Sequence, residues 1–459
     1  MRKRGQHLKT AIVNLKVVLP NFLFGLRILC LLLLIKIGVE QTPIGKQMEA
    51  TAYSYLMSSL GFDRTIPIVI LDISQLAMKS MDRGDGQIRY TPRDKLKAII
   101  QALANQGPTA IGVDVDFSPL TDDFVRPNED PGFFDFCMQL KNPDQTTIPV
   151  FLGVFRQREF PMSYWLGADE YQQLAATIAI VGEPSEVVKR MPRWYEIPGS
   201  AQHGRTMCAS LAAQLPDATV ETYQSRTKHE RGAWWSWAIN SNPGRERDFL
   251  VDYSALPALI SNRLRTIEPA VISDQGWRVR DNIVLIGDAT CMGINDTGTE
   301  AEDAFLTPGF AAPVPGVYLH ACGAYTLANR PLYELTWLGR LCLDVLLSVI
   351  ILGIVTAVHL HYTARGEARR VNLHALEVLF TWLIACAMLI IGVAFVKFTR
   401  LMWDDFLIVI PLLLFHPSLS RIIRRVRRAI VPFWELITFA PEEEVEDVAA
   451  EEDKREEGS

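Results

Sequence analysis

Apolar residues fall into two kinds of segment, long runs near both ends of the chain and short runs in its middle. The long runs have about the length that crosses a bilayer core of roughly 30 Å, although the last is short for a span. We therefore predict four transmembrane helices, at residues 17–37, 338–362, 374–397 and 401–416.

Lysine and arginine cluster beside these runs, and such clusters favour the cytoplasmic side of a membrane. Basic residues fill segment 1–16, recur in "ARGEARR" between the second and third runs, and return in "RIIRRVRR" from Arg421. With four spans, all three clusters fall on one side. Both termini are then predicted to be cytoplasmic, with residues 40–336 outside and residues 417–459 forming a basic segment followed by an acidic, disordered tail.

The middle of the chain begins with a strand, a helix and a strand. "IPIVILDIS" has the continuous apolar pattern of a strand buried on both faces. In "TPRDKLKAIIQALANQG", Thr91 suits a helix N-cap, Pro92 the first helical position and Gly107 the end of the helix. The strand "TAIGVDVDF" follows directly. This βαβ order predicts an α/β domain with parallel strands.

The alternation continues less regularly further along. "IPVFLGVF" (residues 148–155) and "DNIVLIGDAT" have the apolar pattern of strands, and "RTMCASLAAQL" has that of a helix. The fold class predicted from the whole sequence is an extracytoplasmic α/β domain with parallel strands, joined to four transmembrane helices.

Three of the strands end on aspartates, namely Asp72, Asp114 with Asp116, and Asp288. The carboxyl ends of neighbouring parallel strands open into one crevice, where ligands usually bind. Grouped carboxylates there could hold a divalent cation or a cationic ligand. The alternative is structural, because short acidic side chains often accept hydrogen bonds from nearby loop N–H groups. The sequence leaves both interpretations open.

Composition narrows the class of protein. Hydrophobic residues make up 49% of the 459 residues, which is high for a wholly soluble protein. The basic run Arg421–Arg428 is more typical of a topology and lipid-contact feature than of a nucleic-acid patch. The seven cysteines show no CxxC or CxxH pair that would indicate zinc. Four of them, Cys137, Cys208, Cys291 and Cys322, fall in the predicted outer domain, where disulfides are an open alternative.

Several motifs together resemble a known family, the second class of CHASE domain (cyclases and histidine kinases associated sensory extracellular domain). "VILDIS", "TPRDKLKAII" and "GPTAIGVDVDFSP" are similar to its first βαβ segment. "NIVLIGDAT", "DAFLTP" and "VPGVYLHACGAYTLANRPLY" are similar to its terminal segment, which leads directly to a transmembrane helix. The resemblance covers about Ile66 to Leu332, and the arrangement of one span before and three after also matches.

Carried over to this chain, the resemblance places Asp72 and Asp114 on acidic strand ends, Asp303 before the Thr-Pro pair, and His320 in "PGVYLHA". With Asp116 at the edge, these residues are the candidate ligand-binding site. The resemblance attaches no catalytic role to them, and the presence of a metal or a cofactor is left open. Residues 160–243 match the family poorly. His320 could sense pH near neutrality or simply hydrogen-bond a neighbour.

The resemblance implies a sensor in a bacterial inner membrane that detects a small molecule or ion outside. About thirty residues follow Arg428, too few for a fused output domain, so we expect a separate cytoplasmic signalling partner. Beyond the lipid bilayer and that partner, a homodimer is left open. One alternative is a metal-dependent hydrolase using the aspartates, and another is an envelope adaptor that binds through the tryptophans of "AWWSW", residues 233–237.

Overall fold

The computed structural model divides the chain into two compact units. A helical unit comprises Met1–Thr42, Val345–Met388 and Ile408–Ser459, and an α/β unit comprises Pro43–Asp344 and Leu389–Leu407. The structure describes residues 23, 26–28, 30–60, 66–76, 79–82, 87–117, 129–154, 171–178, 180, 187–196, 203–215, 248–290, 293–294, 300–301, 304–310, 312–329, 332–364, 373–403 and 408–410.

A six-stranded parallel sheet forms the centre of the α/β unit. Its strands, numbered in chain order, are β1 (Ile68–Asp72), β2 (Ala110–Asp114), β3 (Val150–Val154), β4 (Ala175–Thr177), β5 (Arg263–Leu264) and β6 (Ile283–Gly287). The spatial order is β5-β1-β6-β2-β3-β4. The short apolar runs therefore form buried parallel strands, as the sequence predicted.

The strands of the first βαβ segment are parallel but not neighbours. β6, which lies some 170 residues after β2 in the chain, pairs with β1 on one side and with β2 on the other. Apolar runs specify that strands are buried but not which strands pair, so the sequence could not give this order.

The helices of the chain, again in chain order, are α1 (Leu26–Glu40), α2 (Pro43–Ser59), α3 (Arg93–Ala104), α4 (Asp130–Met138), α5 (Met207–Ala212), α6 (Leu256–Ser261), α7 (Pro269–Asp274), α8 (Gly276–Val279), α9 (Gly316–Asn329), α10 (Trp337–Ala364) and α11 (Leu373–Thr399). Antiparallel two-stranded pairs join Lys79–Asp82 to Gln87–Tyr90, Trp194–Glu196 to His203–Arg205, Asp248–Leu250 to Arg190–Pro192, Gly293–Ile294 to Glu300–Ala301, and Ala304–Phe305 to Val314–Pro315. Single 3₁₀ turns cover Gln172–Leu174 and Tyr253–Ala255.

Helices cover both faces of the sheet. On one face, α3, α4 and α7 bury their apolar side chains in a core that includes Val69, Ile111 and Val284. On the other face, α5 and α9 pack against each other and against the sheet. This layering explains the continuous apolar pattern of the strands, because neither face of the sheet meets water.

Helix α3 shows how closely local patterns predicted the structure. Its expected apolar face is buried, with Leu96, Ile100 and Leu103 completely inaccessible to solvent. The start was wrong by one residue, because Pro92 rather than Thr91 is the N-cap. The helix also ends earlier than predicted, at Ala104, and Gly107 follows it with a positive φ of 72°.

A buried ion pair joins the beginnings of α3 and α4. Nε of Arg93 donates to Oδ1 of Asp130 at 2.7 Å, and the guanidinium lies 4.2 Å from the centre of the Phe117 ring. Both charged side chains are nearly inaccessible to solvent. A buried charge is stable only with a close partner, so this pair fixes the chain just beyond the end of β2.

Among the residues that the structure describes in full, no single helix has both the length and the hydropathy of a membrane span. The pair Leu26–Glu40 and Pro43–Ser59 meets the criterion only when its two helices are counted together. At the start of the predicted fourth span, Leu401 and Met402 form a short parallel pair with Tyr333 and Glu334. Most of residues 401–416 lie outside the described residues.

Candidate functional site

The carboxyl ends of the three central strands bring two of the predicted aspartates into one row. Asp72 at the end of β1 pairs in register with Gly287 of β6, and Gly287 pairs with Asp114 of β2. Side chains in register on parallel strands point to the same face, and two strand spacings separate the Cα atoms by roughly 10 Å. The two carboxylates therefore lie at the same sheet edge, on the face covered by α9.

Asp72 is held by local donors. Its Oδ1 accepts hydrogen bonds from the N–H groups of Ser74 and Ala289, at 3.0 and 3.2 Å. Its Oδ2 lies 3.6 Å from Nη1 of Arg263. Asp72 therefore has the structural role, in which an aspartate at a strand end accepts hydrogen bonds from loop N–H groups.

Gly287 allows α9 to approach the sheet closely between the two aspartates. A Cβ atom added to Gly287 would lie 2.8 Å from Cγ2 of Val317 and 3.1 Å from Cβ of Asp114. The first turn of α9 therefore rests directly on the row of Asp72, Gly287 and Asp114. In "NIVLIGDAT", a glycine precedes the terminal aspartate because a larger residue would not fit beneath this helix.

His320, one turn further along α9, is completely buried beside Asp114. Its Nε2 lies 3.2 Å from the carbonyl oxygen of Ile178 and 3.9 Å from Oδ1 of Asp114. Burial lowers the pKa of His320 from 6.5 to about 4, although the Ile178 carbonyl opposes the shift. His320 is therefore neutral at pH 7, and it contributes no positive charge beside Asp114.

Two further residues at this edge could not be recognised from the sequence. Arg263 lies on β5, and its Nη1 donates to the carbonyl oxygen of Ala289 at 3.2 Å. The buried Tyr318 lies near Arg263 and Asp72; burial raises the pKa of its hydroxyl, and the positive charge of Arg263 opposes this. "RLRTI" contains no apolar run that would identify a strand, so Arg263 gave no usable signal.

Three predicted aspartates remain, of which the structure describes Asp116 and Asp288. Asp116 is exposed, two residues beyond the end of β2. Asp288 accepts hydrogen bonds from both the N–H and the hydroxyl of Thr290, each at 2.7 Å. Asp303 lies outside the described residues, so its expected proximity to Asp72 stays a prediction.

The described residues contain no group of three or more His, Cys, Asp or Glu side chains that could hold a metal ion. Within the same part of the chain, Cys137, Cys208 and Cys322 are free and buried. Cys291 and the tryptophans of "AWWSW" lie outside it.

Hydrogen-bonding capacity remains at this edge. Nδ1 of His320 is buried and has no hydrogen-bond partner among the described residues. A small polar molecule or ion at the strand ends would meet the Asp114 carboxylate at the end of β2 and the neutral imidazole of His320 in the second turn of α9. The arrangement suits binding.

Comparison with known proteins gives one match. A family model described as the CHASE2 domain matches residues 28–357, a segment that runs from α1 through the whole sheet into α10. No curated protein and no solved structure shows significant similarity to the chain.

Proposed function

Because the chain belongs to the CHASE2 domain family, a family of extracellular sensor domains, we propose that it is a membrane-anchored sensor. Its α/β unit lies outside the cytoplasmic membrane, detects a small molecule or ion, and reports to a separate protein inside. The observation that carries this proposal is the family match over residues 28–357, which includes every strand of the central sheet.

The membrane anchoring rests on the sequence pattern. There are four apolar runs, at residues 17–37, 338–362, 374–397 and 401–416. Basic clusters precede the first run, separate the second from the third and follow the fourth, so that four spans would place all three clusters on one side. Helices α10 and α11 are 28 and 27 residues long, or about 40 Å at 1.5 Å per residue. Such lengths exceed the roughly 30 Å of a bilayer core.

The proposed ligand site lies at the carboxyl edge of the sheet. Asp114 and His320 are its centre, Asp72 holds the neighbouring loop, and Asp116 lies on its exposed side. Asp303 is included on the family resemblance alone. Helix α9, which begins at this edge, is followed after seven residues by α10. A ligand that displaces the start of α9 would therefore act close to the helix that leads into the membrane.

Binding can be tested on the full chain in detergent micelles. Thermal unfolding would be followed with Ca²⁺, with Mg²⁺ and with a panel of small amines, because a carboxylate edge favours cations. We expect a probe that raises the Tm of the wild type to lose this effect in Asp114→Asn. The matched control is Asp144→Asn at an exposed position, which should keep it. An equal response in both variants would place the binding site elsewhere.

Transmission is tested by capture of a partner. The intact chain would be cross-linked in its native membrane and purified, beside a chain truncated after Arg428. We expect the intact chain alone to retain a cytoplasmic kinase or nucleotide cyclase. Recovery of envelope proteins alone would contradict the sensor role and favour the adaptor alternative.

A further inference from the structure

Arg400 occupies an unusual position at the end of helix α11. Its φ is +60°, in the left-handed region that side chains other than glycine and asparagine seldom adopt. Its N–H donates to the carbonyl oxygen of Val396 at 2.9 Å, which is the bond that closes a helix at its C′ position. Glycine is the usual residue at this position, so an arginine here carries a conformational cost.

The side chain of Arg400 reaches a fully buried carboxylate. Nη1 of Arg400 lies 3.3 Å from Oδ2 of Asp252, which has no accessible surface. The other carboxylate oxygen accepts the N–H of Ser254 at 2.9 Å. A buried carboxylate requires a compensating charge, so Arg400 stabilises Asp252 as well as the end of α11.

Asp252 is in turn bonded to α9. Its N–H donates to the hydroxyl oxygen of Thr326 at 2.8 Å, and that hydroxyl donates to the carbonyl of Cys322 at 2.7 Å. Val317, which rests on Gly287 at the candidate site, lies nine residues before Thr326, or about 14 Å along the helix. Helix α9 is continuous and buried from Gly316 to Ala328, so both contacts lie on one closely packed element.

The residues after Arg400 are also bound to the α/β unit. The N–H of Tyr333 donates to the carbonyl of Arg400 at 2.9 Å, and Leu401 and Met402 pair with Tyr333 and Glu334. Nε1 of the buried Trp403 donates to Oδ1 of the fully buried Asp344 at 3.3 Å. The segment Arg400–Trp403 is thus packed as part of the α/β unit, although it follows a helix predicted to cross the membrane.

We infer that Arg400 and Asp252 form a latch that ties the end of α11 to α9, so that a displacement of α9 moves two helices, α10 through the chain and α11 through the latch. The inference rests on the proposed sensor function for its biological meaning. The physical coupling stands on the contacts of Arg400, Asp252 and Thr326. The latch adds a side-chain link from α9 to the end of α11, beside the backbone contacts of residues 400–402 with Tyr333 and Glu334.

The latch is tested with a substitution that the backbone should favour. Arg400→Gly relieves the left-handed conformation and removes the guanidinium, and Gln145→Gly is the matched control at φ +62° on an exposed loop. Hydrogen exchange would be measured by mass spectrometry on the full chain in detergent micelles. We expect exchange at Tyr333 and at residues 401–403 to be about tenfold faster in Arg400→Gly, because a charge-assisted hydrogen bond is lost.

The control should show unchanged or slower exchange around residue 145, since glycine costs nothing at a positive φ. Exchange of the β1 and β6 amides shows whether the sheet remains folded. Should Arg400→Gly unfold it, Arg400→Lys keeps the charge and is expected to restore most of the protection. Exchange near residue 400 that is unchanged in Arg400→Gly, or equally fast in the lysine variant, would overturn the latch.

The link to α9 is tested separately. Thr326→Val removes the hydroxyl that accepts the Asp252 N–H, whereas Thr326→Ser retains it. We expect faster exchange at residues 401–403 in the valine variant alone, and equal exchange in the two variants would show that α9 is not coupled to the latch. No ligand or partner is used, so failed partner capture would refute the sensor role and leave this coupling intact.

Discussion

Replacing Gly287 by alanine tests the close approach of α9 to the sheet. The new Cβ would lie 2.8 Å from Cγ2 of Val317, so the helix or the strand must shift. Overpacking of this kind costs about 1–3 kcal/mol. Alanine also restricts the unfolded chain, which stabilises the folded state by about 0.4–1 kcal/mol. We therefore expect a net loss of about 0.5–2 kcal/mol, or a decrease in Tm of roughly 1–3 °C.

The assay is thermal unfolding of the full chain in detergent micelles. Gly276→Ala is the control, because its Cβ would meet only the flexible side chain of Gln106 and should leave the Tm nearly unchanged. Val317→Ala removes the atom nearest to the new Cβ. The destabilisation caused by Val317→Ala should therefore be about 1 kcal/mol smaller in the Gly287→Ala protein than in the wild type. Costs that add to within about 0.5 kcal/mol would refute the contact between Gly287 and Val317.

Three more predictions concern buried charges and the buried histidine. The pKa of His320 is about 4 when folded and 6.5 ordinarily, so the unfolded chain takes up a proton first and stability falls as the pH drops from about 6.5 to 4. The wild type should therefore lose about 3 kcal/mol of unfolding free energy over this pH range, and His320→Gln should not show this loss. Arg93→Ala should destabilise the chain by about 3–5 kcal/mol in denaturant titrations, because it leaves Asp130 buried without its cation. Asp72→Asn should cost about 1–3 kcal/mol, since Arg263 loses its carboxylate, and an unchanged Tm would contradict that role.

The sequence predicted β1, β2, β3, β6 and one face of α3 well, because these depend on local apolar patterns, whereas the short strands β4 and β5 were not predicted. "IPIVILDIS" and "DNIVLIGDAT" needed no tertiary information to be recognised as buried strands. The parallel direction of β1 and β2 followed from the helix between them. The insertion of β6 between these strands depends on pairing across a long separation in sequence, which periodicity does not encode.

The candidate site was predicted in part for the same reason. Asp72 and Asp114 could be placed at strand ends from their own segments, and they do lie in one row. The roles of Arg263 and Gly287 could not, because an edge strand of two residues has no pattern and the need for glycine comes from a helix thirty residues later. The neutrality of His320 likewise depends on burial by the folded chain.

The proposal that the α/β unit lies outside the membrane is tested most directly by labelling. Single cysteines would be introduced as Asp144→Cys in the α/β unit and Glu452→Cys near the C terminus, in chains whose other cysteines are replaced. Spheroplasts would be treated with a maleimide that cannot cross membranes, before and after permeabilisation. We predict that residue 144 is labelled in intact spheroplasts and residue 452 only after permeabilisation. Labelling of residue 144 only after permeabilisation would place the α/β unit in the cytoplasm and contradict an extracytoplasmic sensor.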